Sequence, residues 1–215
     1  LTFTTLVTFG GAFFASFPLF YSTSFGGAYW VWILILITFV FQAVSYEFQG
    51  KAGNLLGKNA FRVFLMLNGL LAPWLIGAAV GTFFTGSEFI VNKDAVADLG
   101  SPVISRWVSG WGGLEAVANG FNLCLAHLVM FLAIVLGALY AINNISHPSL
   151  ADKLRKSLLR SFVLFLVVLV LVLAQLFTMD GFAVDAQGVV SMVEYKYLFN
   201  LIEMPVVLVM FLVGA

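Results

Sequence analysis

The feature that most constrains this chain is a run of apolar residues too uniform for the surface of a water-soluble protein. From Ala28 to Phe41, Thr38 interrupts an otherwise apolar sequence. At a rise of about 1.5 Å per residue, a helix over this run covers most of the hydrocarbon depth of a bilayer. A soluble helix would need polar positions facing water, so the run predicts a transmembrane helix.

Similar apolar segments recur along the 215 residues, of which 62% are hydrophobic and 9% charged. This apolar area exceeds what one soluble core can bury. We therefore predict an all-α fold, a polytopic membrane helical bundle that forms a single integral membrane domain over residues 1–215. About six transmembrane helices are expected, at approximately residues 5–21, 28–46, 61–84, 120–142, 161–179 and 197–215.

Two local features refine this expectation. Pro18 should bend the last turn of the first helix, and a tight turn is expected over residues 22–27. In the long connection 85–119, four apolar residues recur at helical spacing and predict a helix lying in the membrane interface: Trp107, Val108, Trp111 and Leu114. The chain begins at Leu1 inside a membrane-type segment and ends at Ala215 in an apolar one, and we expect it to be a fragment.

Charge and motifs exclude several classes of function. The formal net charge is zero and there is no long basic run, which argues against nucleic-acid binding. Cys124 is the single cysteine and lies in an apolar segment, so neither a disulfide framework nor a thiolate metal site is available. No nucleophile elbow, phosphate-binding loop or zinc motif occurs. We identify no catalytic residue and no metal ligands.

The basic residues indicate an orientation. The connections after the second and fourth predicted helices would place seven of the ten Lys and Arg residues on one side of the membrane: Lys51, Lys58, Arg62, Lys153, Arg155, Lys156 and Arg160. The other side would hold Lys93, Arg106 and Lys196, beside the acidic residues Glu88, Asp94, Asp98, Glu115, Asp180, Asp185 and Glu194. The positive-inside rule therefore predicts that the Glu47 and Lys51 end faces the cytoplasm.

Glu47 and Lys51 are the first functional candidates. They stand four residues apart at the end of the second helix, which puts them on one helical face. A carboxylate there could take up protons from the cytoplasm and pass them on, because carboxylates are common proton relays in membrane helices. The alternative is an ordinary ion pair at the membrane interface.

Three further polar residues lie in apolar segments. Glu203 is either functional or neutral and hydrogen-bonded, because an unpaired charge in a membrane helix is costly. His127 could be an axial haem ligand, although a lone histidine is more often a packed, hydrogen-bonded residue. Gln42 precedes Glu47 in the polar end of the second helix.

Several segments in order resemble a known family. They are TFGGAFFASFPLF at 8–20, FGGAY at 25–29, SYEFQGK at 45–51, NGFNLCLAHLVMFLAIVLGALY at 119–140, MDGFAV at 179–184 and NLIEMP at 200–205. Together they resemble subunit II of the cytochrome bd quinol oxidases, most closely forms from the Bacteroides lineage. The resemblance covers essentially the whole chain, and it implies a family member lacking its first helix and its C-terminal helices.

The resemblance implies a function. Complexes of this family oxidise membrane quinol and reduce dioxygen to water, with haem b and haem d held mainly by the partner, subunit I. Subunit II is implied to complete the bundle in the bacterial inner membrane and to line a route for cytoplasmic protons. The positions of Glu47 and Lys51 match residues at the cytoplasmic mouth of that route.

Some positions depart from the family pattern. Gln42 stands where some members have an arginine near a bound quinone, Gly120 replaces the usual proline, and Glu203 replaces a polar amide. His127 replaces a glycine, which argues against a shared role as haem ligand. A secondary transporter or channel subunit is the alternative function, but transporters tend to show repeated halves that are not evident here.

Overall fold

The computed structural model describes residues 2–92, 105–185 and 187–214. Lys93, Asp94 and Asp98 of the charge count lie outside them. The described chain forms helices α1 (Thr2–Ser16), α2 (Pro18–Gly27), α3 (Tyr29–Phe48), α4 (Gly57–Thr85), α5 (Gly120–Asn144), α6 (Pro148–Thr178), α7 (Lys196–Glu203) and α8 (Pro205–Gly214). Strands β1 (Phe89–Val91) and β2 (Ser105–Trp107) form one antiparallel pair, and β3 (Gly181–Val184) and β4 (Val190–Val193) another. A 3₁₀ turn covers Leu114–Val117.

The all-α polytopic membrane fold is confirmed. Among the described residues, four helices are long and apolar enough to cross a membrane, namely α3, α4, α5 and α6. The consecutive helices α7 and α8 make a fifth candidate if they are taken as one broken span. This is fewer than the six spans expected from the sequence, and the difference arises at the two ends of the chain.

At the N-terminal end, the helix expected over 5–21 is divided at Phe17. This residue has φ −137° and ψ 64°, outside the helical region, and Pro18 begins α2. A proline disfavours helical backbone at the preceding residue and is itself well suited to the first position of a helix. The expected turn at 22–27 is instead the continuation of α2, so α1 alone is only 15 residues long.

At the C-terminal end, the helix expected over 197–215 is also divided. α7 ends at Glu203, α8 begins at Pro205, and their axes differ by 101°. Met204 between them has φ −109° and ψ 77°. Pro205 has no N–H to continue the α7 ladder, so it starts a new helix in a new direction.

The four long helices pack in chain order, α3 against α4, α4 against α5, and α5 against α6. The buried core lies between α3, α4 and the 3₁₀ turn, and includes Val31, Ile35, Leu75, Ala79 and Ala116. The α4–α5 contact is close, because a Cβ added at Gly77 would stand 2.6 Å from the Cα of Ala126. Small residues allow such approach between helices in a membrane.

Two connections differ from the sequence expectation. α6 begins at Pro148, so this helix extends beyond its apolar part and includes most of the basic segment before residue 161. The prediction of an interfacial helix around Trp107, Val108, Trp111 and Leu114 is wrong. Trp107 ends β2, and Gly112 and Gly113 follow with φ of 57° and 93°, which a right-handed helix does not allow.

Candidate functional site

The end of α3 brings together the two residues that the spacing places on one face. Lys51 Nζ donates a hydrogen bond of 2.5 Å to Glu47 Oε1. Nζ also lies 4.6 Å from the ring centroid of Phe48. The side chains of Glu47 and Lys51 are 63% and 53% exposed, so solvent can reach the carboxylate directly. An ion pair this exposed contributes little to stability, but its carboxylate can exchange protons with water.

Gln42 and Ser45 lie on the same helix before the pair. Ser45 is fully buried and its hydroxyl donates to the backbone oxygen of Phe41 at 2.6 Å, which satisfies it within the helix. Gln42 is half-buried. It precedes Glu47 by five positions, and a helix rotates by about 140° over that spacing, so the two side chains point in different directions.

His127 lies on an exposed face of α5. Its Nδ1 is 2.7 Å from the backbone oxygen of Leu123, and its ring meets the Trp74 ring edge-on, with centroids 5.9 Å apart. Because a carbonyl oxygen can only accept, Nδ1 carries the proton in this contact and Nε2 is left open in the neutral ring.

The arrangement around His127 fits a bis-histidine haem poorly. The other histidine, His147, follows the end of α5, and Asn144 at that end is about 25 Å from His127 along the helix. His147 also has its Nδ1 within 3.1 Å of the Ser149 hydroxyl. A haem held by both histidines of this chain is therefore geometrically unfavourable.

Glu203 is exposed and forms the last residue of α7, immediately before the 101° bend. α7 starts near the C-terminal end of α4, where Tyr197 Oη donates to the backbone oxygen of Phe84 at 3.4 Å. Glu47 lies at the opposite end of the bundle, near the start of α4. The structure therefore does not unite Glu47, His127 and Glu203 in one site.

A polar cavity at the other end of the bundle was missed by the sequence analysis. It lies where α4 ends and α5 begins, and Glu115 and Asn122 line it. Asn119 caps α5, because its side chain accepts from the backbone N–H groups of Phe121 and Asn122 at 2.9 and 3.3 Å. A second asparagine one turn into an apolar helix was the signal that could have indicated this cavity.

A second, apolar groove of about 360 Å³ lies between α3 and α4. Leu34, Phe41 and Leu71 are among its lining residues, and so is Asn68, which is 4% exposed. The Asn68 Nδ2 has no hydrogen-bond partner among the described residues. This groove offers one unpaired donor in largely apolar surroundings, because the hydroxyl of Thr38, which also lines it, donates to the backbone oxygen of Ile35.

Comparison with known proteins identifies the family to which this chain belongs. The profile of the family described as cytochrome bd terminal oxidase subunit II matches residues 1–215. The cytochrome bd-I ubiquinol oxidase subunit 2 of Escherichia coli is 31% identical over 88 residues, 41% of this chain and 23% of that protein. The cytochrome bd ubiquinol oxidase subunit 2 of Bacillus subtilis is 26% identical over 132 residues, 60% of this chain and 36% of that protein.

A probable cytochrome oxidase subunit 2 of Haemophilus influenzae is 24% identical over 181 residues, which is 84% of this chain and 45% of that protein. The matched regions thus span less than half the length of each of these relatives. The family profile nevertheless covers the entire chain, from the first helix to the last. The chain belongs to the cytochrome bd terminal oxidase subunit II family.

Proposed function

We propose that this chain is part of a subunit II that works in a membrane complex oxidising quinol and reducing dioxygen to water. The observation that carries the proposal is the family match over residues 1–215. Four long apolar helices support a place in the bacterial inner membrane. The partner is the haem-bearing subunit I, and membrane lipid covers the remaining apolar surface.

Haem b and haem d belong to the partner in this proposal, and they supply the electron transfer and oxygen chemistry. The poor fit of a bis-histidine haem to His127 and His147 supports that assignment. This chain's part is to complete the membrane bundle around the partner. Its exposed apolar side chains on α6, such as Leu159, Val167 and Val170, support extensive contact with lipid or with that partner.

Proton uptake is the second part of the proposal. Dioxygen reduction to water consumes protons, whereas quinol oxidation releases them. If uptake occurs from the cytoplasm and release on the opposite side, the reaction separates charge without a pump. Glu47 takes up these protons at the cytoplasmic end of α3, and Lys51 holds its carboxylate in position. The 63% exposure of the Glu47 side chain supports this role, because protons from water can reach its carboxylate.

The test is a reduced-minus-oxidised optical spectrum of the full-length protein, purified with the membrane partner that accompanies it. Bands of haems b and d, together with quinol-driven oxygen uptake, are the expected result. A colourless preparation without a partner would overturn the proposal. It would favour the alternative of a transporter or channel subunit, for which the bend between α7 and α8 is the relevant feature.

A further inference from the structure

The polar cavity beside α5 has the composition of a cation site. Its volume is about 270 Å³. The polar side chains that line it come from the end of α4, the segment after it, the 3₁₀ turn and the start of α5 with its capping residue: Thr82, Thr85, Ser87, Glu88, Glu115, Asn119 and Asn122. Two of them are carboxylates, and no Lys, Arg or His is among the described residues lining the cavity.

The central observation is the buried carboxylate of Glu115. Both of its carboxylate oxygens are buried, and neither has a hydrogen-bond partner among the described residues. The backbone that carries it is fixed, because Gly113 packs so closely on the start of α3 that an added Cβ would stand 2.6 Å from the Tyr29 nitrogen. Burying an ionised carboxylate without a donor or a counter-charge carries a large free-energy cost.

The neighbouring polar groups are already engaged. Asn122 is 1% exposed; its Nδ2 donates to the backbone oxygen of Ala116 at 3.0 Å, and its Oδ1 accepts from Thr85 at 3.0 Å. The Thr82 hydroxyl donates to the backbone oxygen of Ala79 at 2.6 Å. The first amides of α5 are capped by Asn119. These groups therefore donate to acceptors other than Glu115, while the side-chain oxygens of Thr82, Thr85 and Asn122 each keep a lone pair for a cation.

We propose that this cavity binds an oxygen-preferring divalent cation, represented by Ca²⁺, with Glu115 as its principal ligand. Glu88 supplies the second carboxylate, and hydroxyl oxygens and water complete the coordination. No group of three or more His, Cys, Asp or Glu suited to a metal occurs in the described part of the chain, so neutral oxygens make up much of the ligand set. Such irregular, all-oxygen coordination suits Ca²⁺ better than Mg²⁺, which requires near-octahedral geometry.

The bound ion would join the 3₁₀ turn to the segment that follows α4. This role does not depend on the proposed oxidase function. It concerns the end of the bundle opposite Glu47, and it can be measured without any turnover assay.

The experiment compares calcium binding by the full-length protein in its purified membrane complex after treatment with a chelator. Equilibrium dialysis with radioactive Ca²⁺ is carried out on the parent, on Glu115→Gln and on the control Glu194→Gln, whose side chain is exposed outside the cavity. The parent and the control should bind one more saturable Ca²⁺ than Glu115→Gln, or bind it at least about tenfold more tightly. Equal binding by all three proteins would overturn the proposal.

A second variant and a second measurement cover the case in which Glu115→Gln folds poorly. Glu88→Gln changes an exposed ligand, and it should weaken Ca²⁺ binding while leaving the metal-free unfolding temperature unchanged. Added Ca²⁺ should raise the unfolding temperature of the parent, and it should do so more than equimolar Mg²⁺. If Ca²⁺ does not raise it and Glu115→Gln is as stable as the parent, the buried carboxyl of Glu115 needs no cation, and the proposal fails.

Discussion

Thr85 and Asn122 are joined by a side-chain hydrogen bond of 3.0 Å, although they stand 37 positions apart in the sequence. Thr85 ends α4 and Asn122 lies in the first turn of α5. Asn122 also donates to the backbone oxygen of Ala116 in the 3₁₀ turn at 3.0 Å. One buried amide therefore connects two membrane helices and the loop between them.

Replacing this amide should destabilise the bundle. In Asn122→Ala, the hydroxyl of Thr85 and the backbone oxygen of Ala116 lose a buried partner, at a cost of about 1–3 kcal/mol. The thermal unfolding midpoint in detergent should fall accordingly. The matched control is Asn144→Ala on the same helix, because that exposed side chain, within the described part of the chain, bonds only to the Tyr140 oxygen one turn away. Equal midpoints for the two variants would contradict the prediction.

The close approach of α4 and α5 predicts a contrast between two glycines of α4. A Cβ at Gly77 would stand 2.6 Å from the Cα of Ala126 and 2.8 Å from the oxygen of Leu125, so the helices must separate in Gly77→Ala. Overpacking of this kind costs about 1–3 kcal/mol. A Cβ at Gly69 would meet no other described residue within 4 Å.

Gly69→Ala should accordingly be neutral or slightly stabilising, since alanine favours a helix over glycine by about 1 kcal/mol. Unfolding midpoints of the two variants provide the measurement. A Gly77→Ala protein as stable as Gly69→Ala would show that α4 and α5 do not approach so closely.

The proposed proton role predicts that Glu47→Ala in the intact complex slows quinol-driven oxygen uptake and charge separation. A positioned proton carrier contributes strongly to rate, so a loss of about tenfold or more is expected while haem content stays normal. Glu47→Asp keeps a carboxylate and should be milder. Asp152→Asn is the control, because Asp152 is an exposed acid paired at 3.8 Å with Arg155 on α6. Normal turnover in Glu47→Ala would refute the role.

Glu203 gives a different prediction because it lies at the bend between α7 and α8. A protonated glutamate there would have nearly the same shape and hydrogen-bonding capacity as glutamine. If Glu203 is neutral in the working complex, Glu203→Gln should therefore leave oxygen uptake largely intact. The measurement is the turnover number of the purified complex, normalised to haem content. Severe loss of turnover would instead show that the negative charge of Glu203 is used.

Proline shows why helix boundaries were only partly predictable. Pro18 and Pro205 each begin a new helix after a break, whereas Pro73 lies within the continuous α4. The local chemistry of the three residues is the same. α4 is packed between α3 and α5, and neighbouring helices can compensate for a lost backbone bond in a membrane protein. No buried residue is described in α8, where the Phe211 ring contacts the Phe177 ring of α6, so α8 is far less enclosed by neighbouring helices than α4.

The candidate residues also differ in whether local sequence or tertiary packing determines their contacts. The contact between Glu47 and Lys51 depends on spacing within one helical turn, and the structure forms it. The role of the pair stays a prediction. Glu115 was counted only as a loop charge, because its burial depends on where α3, α4 and α5 meet around the 3₁₀ turn. No residue pattern within one segment can indicate that separate helices come together around this turn.

The amino-acid sequence by itself determined that this chain is a membrane protein of apolar helices and that Glu47 and Lys51 share a face. These properties depend on hydrophobicity and on contacts within about one turn of helix. Tertiary structure alone decided which proline breaks a helix, which glycine is a contact point, and that Glu115 and Asn122 are enclosed. Those outcomes depend on residues far apart in sequence, whose proximity arises only when the helices pack.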